Sequence, residues 1–161
     1  MRIGLFIVSS VPVGGRWTAD WAWGLPLIVG SVLFHVFGLG LIRRRTNRFS
    51  SRSIKRRYPT AAFVIVIGAA TLLATCLHAI EAGVWAAAYL GLGALPDFKS
   101  AMLFSLDAIT SYGHANLELE QHWHLLGSLE ALNGWLLFGL TTAFLFGMLE
   151  EVWRSESSLR R

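Results

Sequence analysis

The sequence predicts an all-α membrane protein with three transmembrane helices and a re-entrant pore helix and loop between the second and the third. Three observations lead to this fold class. Hydrophobic residues make up 54% of the chain and charged residues only 15%, whereas a soluble surface needs roughly 25–35% charged residues. Three apolar runs are long enough to span a bilayer. A further apolar stretch has helical periodicity but is too short to cross.

The first of the three runs follows an N-terminal segment, residues 1–24, which we expect outside the cell. Residues 25–42 are then expected to form the first transmembrane helix, because His35 is their only ionisable side chain. At 1.5 Å per residue this run is about 27 Å long, close to the lower limit for a bilayer core.

Residues 43–58 are expected to form a basic cytoplasmic loop. Eight of the fourteen basic residues fall between Arg43 and Arg57, and no acidic residue lies among them. Cytoplasmic loops carry such an excess of positive charge, which puts the N-terminus outside and the C-terminus inside. The apolar runs on both sides favour anionic lipid, not nucleic acid, as the partner of this loop.

A second apolar run extends from Thr60 to Leu95 and is interrupted only by His78 and Glu81. It is far longer than a bilayer requires, so we expect its membrane part to end near Glu81. The remainder is expected to be a helix extension or an interfacial segment, with Trp85 and Tyr89 at the outer surface. His78 and Glu81 are three residues apart and therefore share a helical face. They could hold helices together, which is the favoured interpretation, or act as a proton relay or as metal ligands.

A short helix is predicted after Pro96, with Asp97 in its first turn. About twelve residues span only about 18 Å, too little to cross the membrane. The polar stretch TSYGHANLELEQHWH follows, and residues 125–149 then form the third predicted span. Irregular backbone at membrane depth is tolerated where it lines a cavity, and the carbonyl end of a short helix favours cations. The last residues, 154–161, are expected to be a cytoplasmic tail.

The segment AMLFSLDAITSYGHANL, followed by an apolar helix, resembles the pore module of the potassium-channel superfamily. The stretches LHAIEAGVWAAAYLGLGALPDF and LLGSLEALNGWLLFGLTTAFLFGML resemble small bacterial membrane proteins grouped with the ion-channel pore domain. The resemblance implies that residues 59–153 are a pore module of a homotetramer in the bacterial inner membrane. It implies passive ion transport by an ion channel, with K⁺ as the permeant monovalent cation, no cofactor and no enzymatic activity.

The resemblance also assigns the ion filter, whose usual form in the superfamily is Thr-x-Gly-Tyr-Gly-Asp. Tyr112 and Gly113 match the Tyr-Gly pair, and Thr110 matches the threonine if one residue is missing. Without a gap, Ser111 stands in place of the first glycine and Ile109 in place of the threonine. His114 replaces the acidic residue at the outer mouth.

Other residues are candidates for supporting this pore. Asp107 lies at the end of the pore helix, and Glu130 and Asn133 lie near the start of the last span. Asp107, His114 and Glu130 are therefore assigned to the pore mouth and its support. Gly139, near the middle of the last span, is the candidate hinge, although close helix packing is the alternative.

Two rival functions remain open at this stage. A non-conducting membrane scaffold or sensor that keeps the channel fold is favoured by Ser111 and His114. A membrane enzyme would need His78, Glu81 and the loop histidines around a metal, but no recognised metal motif is present. The loop histidines are His114, His122 and His124. We therefore predict no metal site and no catalytic residues.

Overall fold

The computed structural model describes residues 14–49, 59–113 and 117–159, and its regular structure in these ranges is entirely helical. The elements are α1 (Gly14–Phe49), α2 (Pro59–Gly91), α3 (Phe98–Thr110), a 3₁₀ turn (Gln121–Trp123) and α4 (His124–Leu159). Three helices in this part of the chain are long and apolar enough to cross a membrane, namely over Trp17–Thr46, Ala61–Gly91 and His124–Glu151. The prediction of an all-α protein with three helices long and apolar enough to span a membrane is confirmed for the described residues, whereas the re-entrant position of the short helix stays a prediction.

The first helix is longer at both ends than the sequence predicts. It begins at Gly14 and ends at Phe49, so a loop beginning at residue 43 is wrong for residues 43–49. Arginine is a good helix former, and Arg43 donates a hydrogen bond to Glu151 of α4 at 2.6 Å. The predictions for residues 1–13 and 50–58 lie outside the described residues.

The second helix continues without a break beyond Glu81 to Gly91, so the helix extension is confirmed. The interfacial position of Trp85 and Tyr89 is wrong, because both side chains are fully buried. The Tyr89 ring contacts Phe104 of α3 edge-on, with centroids 5.3 Å apart. Packing against α3 therefore covers the face of α2 that the sequence suggested for the membrane surface.

The short helix α3 begins one residue later than expected. Asp97 lies outside it as the N-cap, and its carboxylate accepts a hydrogen bond from the Ser100 amide at 3.0 Å. This carboxylate satisfies an amide that has no partner within the helix. The same hydrogen bond lowers the pKa of Asp97, which is fully exposed to solvent.

The fourth helix includes the predicted third span and continues through most of the expected tail to Leu159. Two hydrophobic clusters hold the helices together. One surrounds Trp85, Phe104 and Leu126, where α2, α3 and α4 meet. The other joins α1, α2 and α4 around Leu39, Ala70, Leu77 and Met148.

Candidate functional site

The predicted filter residues lie together at the C-terminal end of α3. Ser111 is in the left-handed conformation with φ 54°, and its amide donates to the Ala108 carbonyl at 2.9 Å. Gly113 also has a positive φ, 98°. The Tyr112 amide donates to the Asp107 carbonyl, whereas the Tyr112 side chain is 85% exposed. The last carbonyls of α3, the negative end of its dipole, therefore lie beside this turn.

The turn after α3 is attached to α4 by a side-chain hydrogen bond. The Trp135 indole donates its Nε1–H to Ser111 Oγ at 3.0 Å. Thr110 makes no such bond, because its hydroxyl donates to the Leu106 carbonyl of its own helix at 2.7 Å. Asp107 and Ser111 line a cavity of about 490 Å³, together with Gly113 and His124.

The backbones of α3 and α4 meet at Gly134. A Cβ atom built on this residue would lie 2.1 Å from the Ile109 carbonyl oxygen. Gly139 differs, since a Cβ atom there would have no neighbour within 4 Å in this chain. Gly134 therefore sets the separation of the two helices, and the assignment of Gly139 as a hinge stays a prediction.

Glu130 of α4 links α3 to the neighbouring long helices. This fully buried carboxylate accepts a hydrogen bond from the Tyr89 hydroxyl of α2 at 2.6 Å and another from Ser105 of α3. The Ser105 oxygen also lies 2.8 Å from the Ala82 carbonyl oxygen of α2. One side chain of α4 is thus bonded to both neighbouring helices, a geometry compatible with the supporting role expected for Glu130.

Asn133, the other residue named beside Glu130, has a fully buried side chain. Its amide nitrogen and oxygen have no hydrogen-bond partner among the residues that the structure describes. Buried amides normally have partners, so this residue, next to Gly134, is a polar position whose role the single chain does not explain.

A second group of polar side chains lies deep between the helices. The sequence analysis paired two of its members, His78 and Glu81, but did not predict the other two. It consists of His35 of α1, His78 and Glu81 of α2, and Thr141 of α4, and we call it the histidine cluster. His35 and Glu81 are 0% and 1% exposed, and His35 Nδ1 lies 2.9 Å from Glu81 Oε1. The Nε2 atoms of His35 and His78 lie 2.9 Å and 3.1 Å from Thr141 Oγ1.

The histidine cluster connects all three long helices. The imidazole rings of His35 and His78 are 4.9 Å apart, and Phe138 stacks on the second ring at 4.7 Å. The tether proposed for His78 and Glu81 is therefore present, with His35 as the partner on α1. The sequence signal that could have found His35 is its position as the single ionisable residue of the first span.

The histidine cluster contains three side chains of the types that bind metal ions. Ligand atoms of His35, His78 and Glu81 all lie within 4.8 Å of one another, so their spacing alone would admit an ion. Three of the four polar contacts are at ordinary hydrogen-bond distances, and we interpret the cluster as a hydrogen-bonded network instead.

The loop histidines do not join the histidine cluster in the described part of the chain. His124 donates from Nε2 to the Leu119 carbonyl at 2.8 Å, and His122 Nδ1 lies 3.4 Å from Glu120 Oε2. No group of three potential ligands that includes either of them is found among the described residues. His114 lies outside those residues.

Comparison with known proteins adds no relative, since no family model, curated protein or solved structure matches the chain.

Proposed function

We propose that the chain is one subunit of an oligomeric cation channel similar to the potassium-channel superfamily, with α3 and the loop after it as a re-entrant pore. The observation that carries the proposal is the C-terminal end of α3. There a 13-residue helix between two long apolar helices ends in two residues of positive φ, Ser111 and Gly113. Backbone of this kind can aim successive carbonyl oxygens at a partly dehydrated cation.

The anchoring of α3 supports this proposal. Glu130 and Gly134 hold the short helix against α4 through a buried carboxylate and a backbone contact. Such support suits a filter, because it holds the carbonyl oxygens that replace the hydration shell of the ion close to the ion path. Cations are favoured over anions because the carbonyl end of α3 carries the negative part of its dipole.

The proposal includes a homotetramer. One chain supplies one loop, and a ring of carbonyl ligands requires several copies around an axis. Four is the number that the resemblance implies, with K⁺ as the permeant ion. The bacterial plasma membrane, with the basic segment on the cytoplasmic side, is the location that the resemblance and the charge distribution imply.

Ion flux in liposomes tests the proposal. Purified protein should release a K⁺ gradient, and Gly113→Ala should abolish the flux without changing the cross-linked oligomer of four chains. The reason is that a side chain at φ 98° is strained even though no described residue would lie within 4 Å of its Cβ atom.

Gly93→Ala is the matched control for this experiment. Gly93 also has a positive φ, 67°, and open space around it, but it lies in the connection between α2 and α3. The Gly93→Ala variant should impose a similar backbone strain and leave the ion flux intact. Equal loss of flux in both variants, or a strictly monomeric protein in native lipid, would contradict the channel.

The non-conducting scaffold or sensor remains the second candidate, and the bond between Trp135 and Ser111 favours it. This bond holds a serine where the superfamily has its first glycine. A stable tetramer without flux, in wild type and in Ser111→Gly alike, would support the scaffold over the channel.

A further inference from the structure

The histidine cluster forms a closed ring of four polar contacts across α1, α2 and α4. Glu81 faces the Nδ1 atoms of both histidines, His35 at 2.9 Å and His78 at 3.4 Å. Thr141 faces both Nε2 atoms, at 2.9 Å and 3.1 Å. Each imidazole thus bridges the same carboxylate and the same hydroxyl.

Counting donors shows that this ring lacks one proton when both histidines are neutral. A neutral imidazole has one N–H, a threonine hydroxyl has one O–H, and an ionised carboxylate has no donor. Two histidines and Thr141 therefore supply three donors for four contacts. At one contact, two lone pairs must face each other.

The geometry identifies the contact that lacks a donor. His78 Nδ1 and Glu81 Oε2 are the pair at 3.4 Å, and both atoms are buried without a hydrogen-bond partner among the described residues. Two buried acceptors face to face are unfavourable, and a positive charge between them removes the conflict. His78 is 13% exposed, compared with 0% for His35.

We propose that the histidine cluster is a proton-binding site, which holds one proton beyond those of two neutral histidines and an ionised Glu81. With this proton both Nδ1 atoms donate to the carboxylate, one Nε2–H donates to Thr141, and the Thr141 hydroxyl donates to the other Nε2. All four contacts are then hydrogen bonds. This inference is independent of the proposed channel.

The same arrangement allows the proton to move between α1 and α2. The Nε2–H bond of protonated His35 breaks as an O–H bond forms on Thr141, while the original Thr141 O–H bond breaks and an N–H bond forms on His78 Nε2. The positive charge moves from His35 to His78, and no proton is gained or lost. The reverse step restores the first state.

The charge balance favours a proton over a metal ion. One added proton makes the cluster neutral, whereas a divalent metal would leave one uncompensated positive charge in a membrane-spanning region, which is costly. The facing groups from the packed helices are His35 of α1, His78 and Glu81 of α2, and Thr141 of α4, with Phe138 on one ring. Arg43 lies eight residues from His35, about 12 Å along α1.

Solid-state NMR of protein labelled with ¹⁵N-histidine tests the proposal in lipid bilayers at neutral pH. Replacing His114, His122 and His124 by Gln leaves His35 and His78 as the labelled residues of the five in the chain. Three of their four ring nitrogens should carry protons. Two neutral imidazoles would show only two protonated ring nitrogens.

Two variants should remove the extra proton by different routes. Thr141→Val deletes the hydroxyl, so two neutral rings can each donate Nδ1–H to Glu81. Glu81→Gln supplies an amide donor, which completes four contacts with neutral groups and so keeps the ring intact. Both should lower the count of protonated ring nitrogens from three to two.

Thr142→Val is the matched control. Its hydroxyl donates to the Phe138 carbonyl of its own helix, so the count should stay at three. The proposal is overturned if wild type shows two protonated ring nitrogens, or if both Thr141→Val and Glu81→Gln keep three. One bound metal ion per purified chain, lost in Glu81→Gln, would also overturn it.

Discussion

At the scale of single residues, Gly134 is the described glycine at which an added Cβ atom would lie closest to a neighbouring atom. Its Cα lies so close to the Ile109 carbonyl that an added Cβ would approach the oxygen to 2.1 Å, and backbone atoms cannot rotate out of the way. Small residues at such contacts let membrane helices approach closely. A Cβ atom built on Gly139 of the same helix would meet no described residue of another helix within 4 Å.

Gly134→Ala should therefore destabilise the protein by about 1–3 kcal/mol, because α3 must move away from α4. Gly139→Ala should be neutral or stabilising by up to about 1 kcal/mol, since alanine is the better helix former and meets no atom. Unfolding of both variants in mixed detergent, followed by tryptophan fluorescence, measures the difference. Equal stability of the two variants would contradict the close contact of α3 with α4.

The histidine cluster shows what single-residue patterns can and cannot predict. His78 and Glu81 are three residues apart in one helix, so their shared face follows from helical geometry alone. His35 and Thr141 are 46 and 60 residues away from Glu81 in sequence, and only the packing of α1 and α4 on α2 brings them together. No local pattern in the chain contains that information.

At the scale of elements, the N-terminus of α3 depends on Asp97. The carboxylate accepts hydrogen bonds from the Ser100 amide and the Ser100 hydroxyl, at 3.0 Å and 2.7 Å. These bonds lower the pKa of Asp97 below its ordinary value of 3.8. A lowered pKa in the folded state means that the contribution to stability is present above about 3.8 and is lost as the pH falls through the folded value.

The protection of the Ser100 amide against hydrogen exchange, corrected for intrinsic rates, should follow this titration. Protection should be lost in wild type as the pH falls below 3.8, because protonation removes the ionised acceptor. Asp97→Asn keeps an acceptor that does not titrate, so its protection should be independent of pH over this range, and Asp97→Ala should lack protection throughout. A wild-type profile as flat as that of Asp97→Asn would refute the role of the cap.

The sequence predicted the existence of the helices better than the residues at which they begin and end. Hydropathy locates the membrane core of a helix, but it does not report where the helix ends. Arg43 can therefore extend α1 beyond the apolar run by bonding to Glu151, and buried Trp85 lies in a segment whose composition also suits a membrane surface. In both cases the residue contacts another helix, and hydropathy along one segment does not report such contacts.

At the scale of the whole molecule, the apolar surface of one chain is explained by lipid without any partner. Leu132, Trp135 and Phe146 of α4 are 54%, 71% and 57% exposed, as side chains facing hydrocarbon can be. Exposed apolar area is therefore no argument for an oligomer. The case for a tetramer depends on the single loop after α3.

Orientation in the membrane is a property of the whole chain that follows from charge and helix length. The helix α2 has 33 residues, about 50 Å at 1.5 Å per residue, which is long enough to place the segments before and after it on opposite sides of a bilayer. The basic residues before α2 are expected in the cytoplasm, because such dense positive charge resists translocation.

Single cysteines at Ser51 and Gln121, in a Cys76→Ala background, test this orientation with a membrane-impermeant thiol reagent. In intact spheroplasts the cysteine at 121 should be labelled and the cysteine at 51 should not, and permeabilisation should make both reactive. The Cys76→Ala background leaves the introduced residue as the single cysteine of the chain. Labelling of both positions from outside would refute the three-span arrangement, whereas labelling of position 51 alone would keep the three spans and reverse their direction.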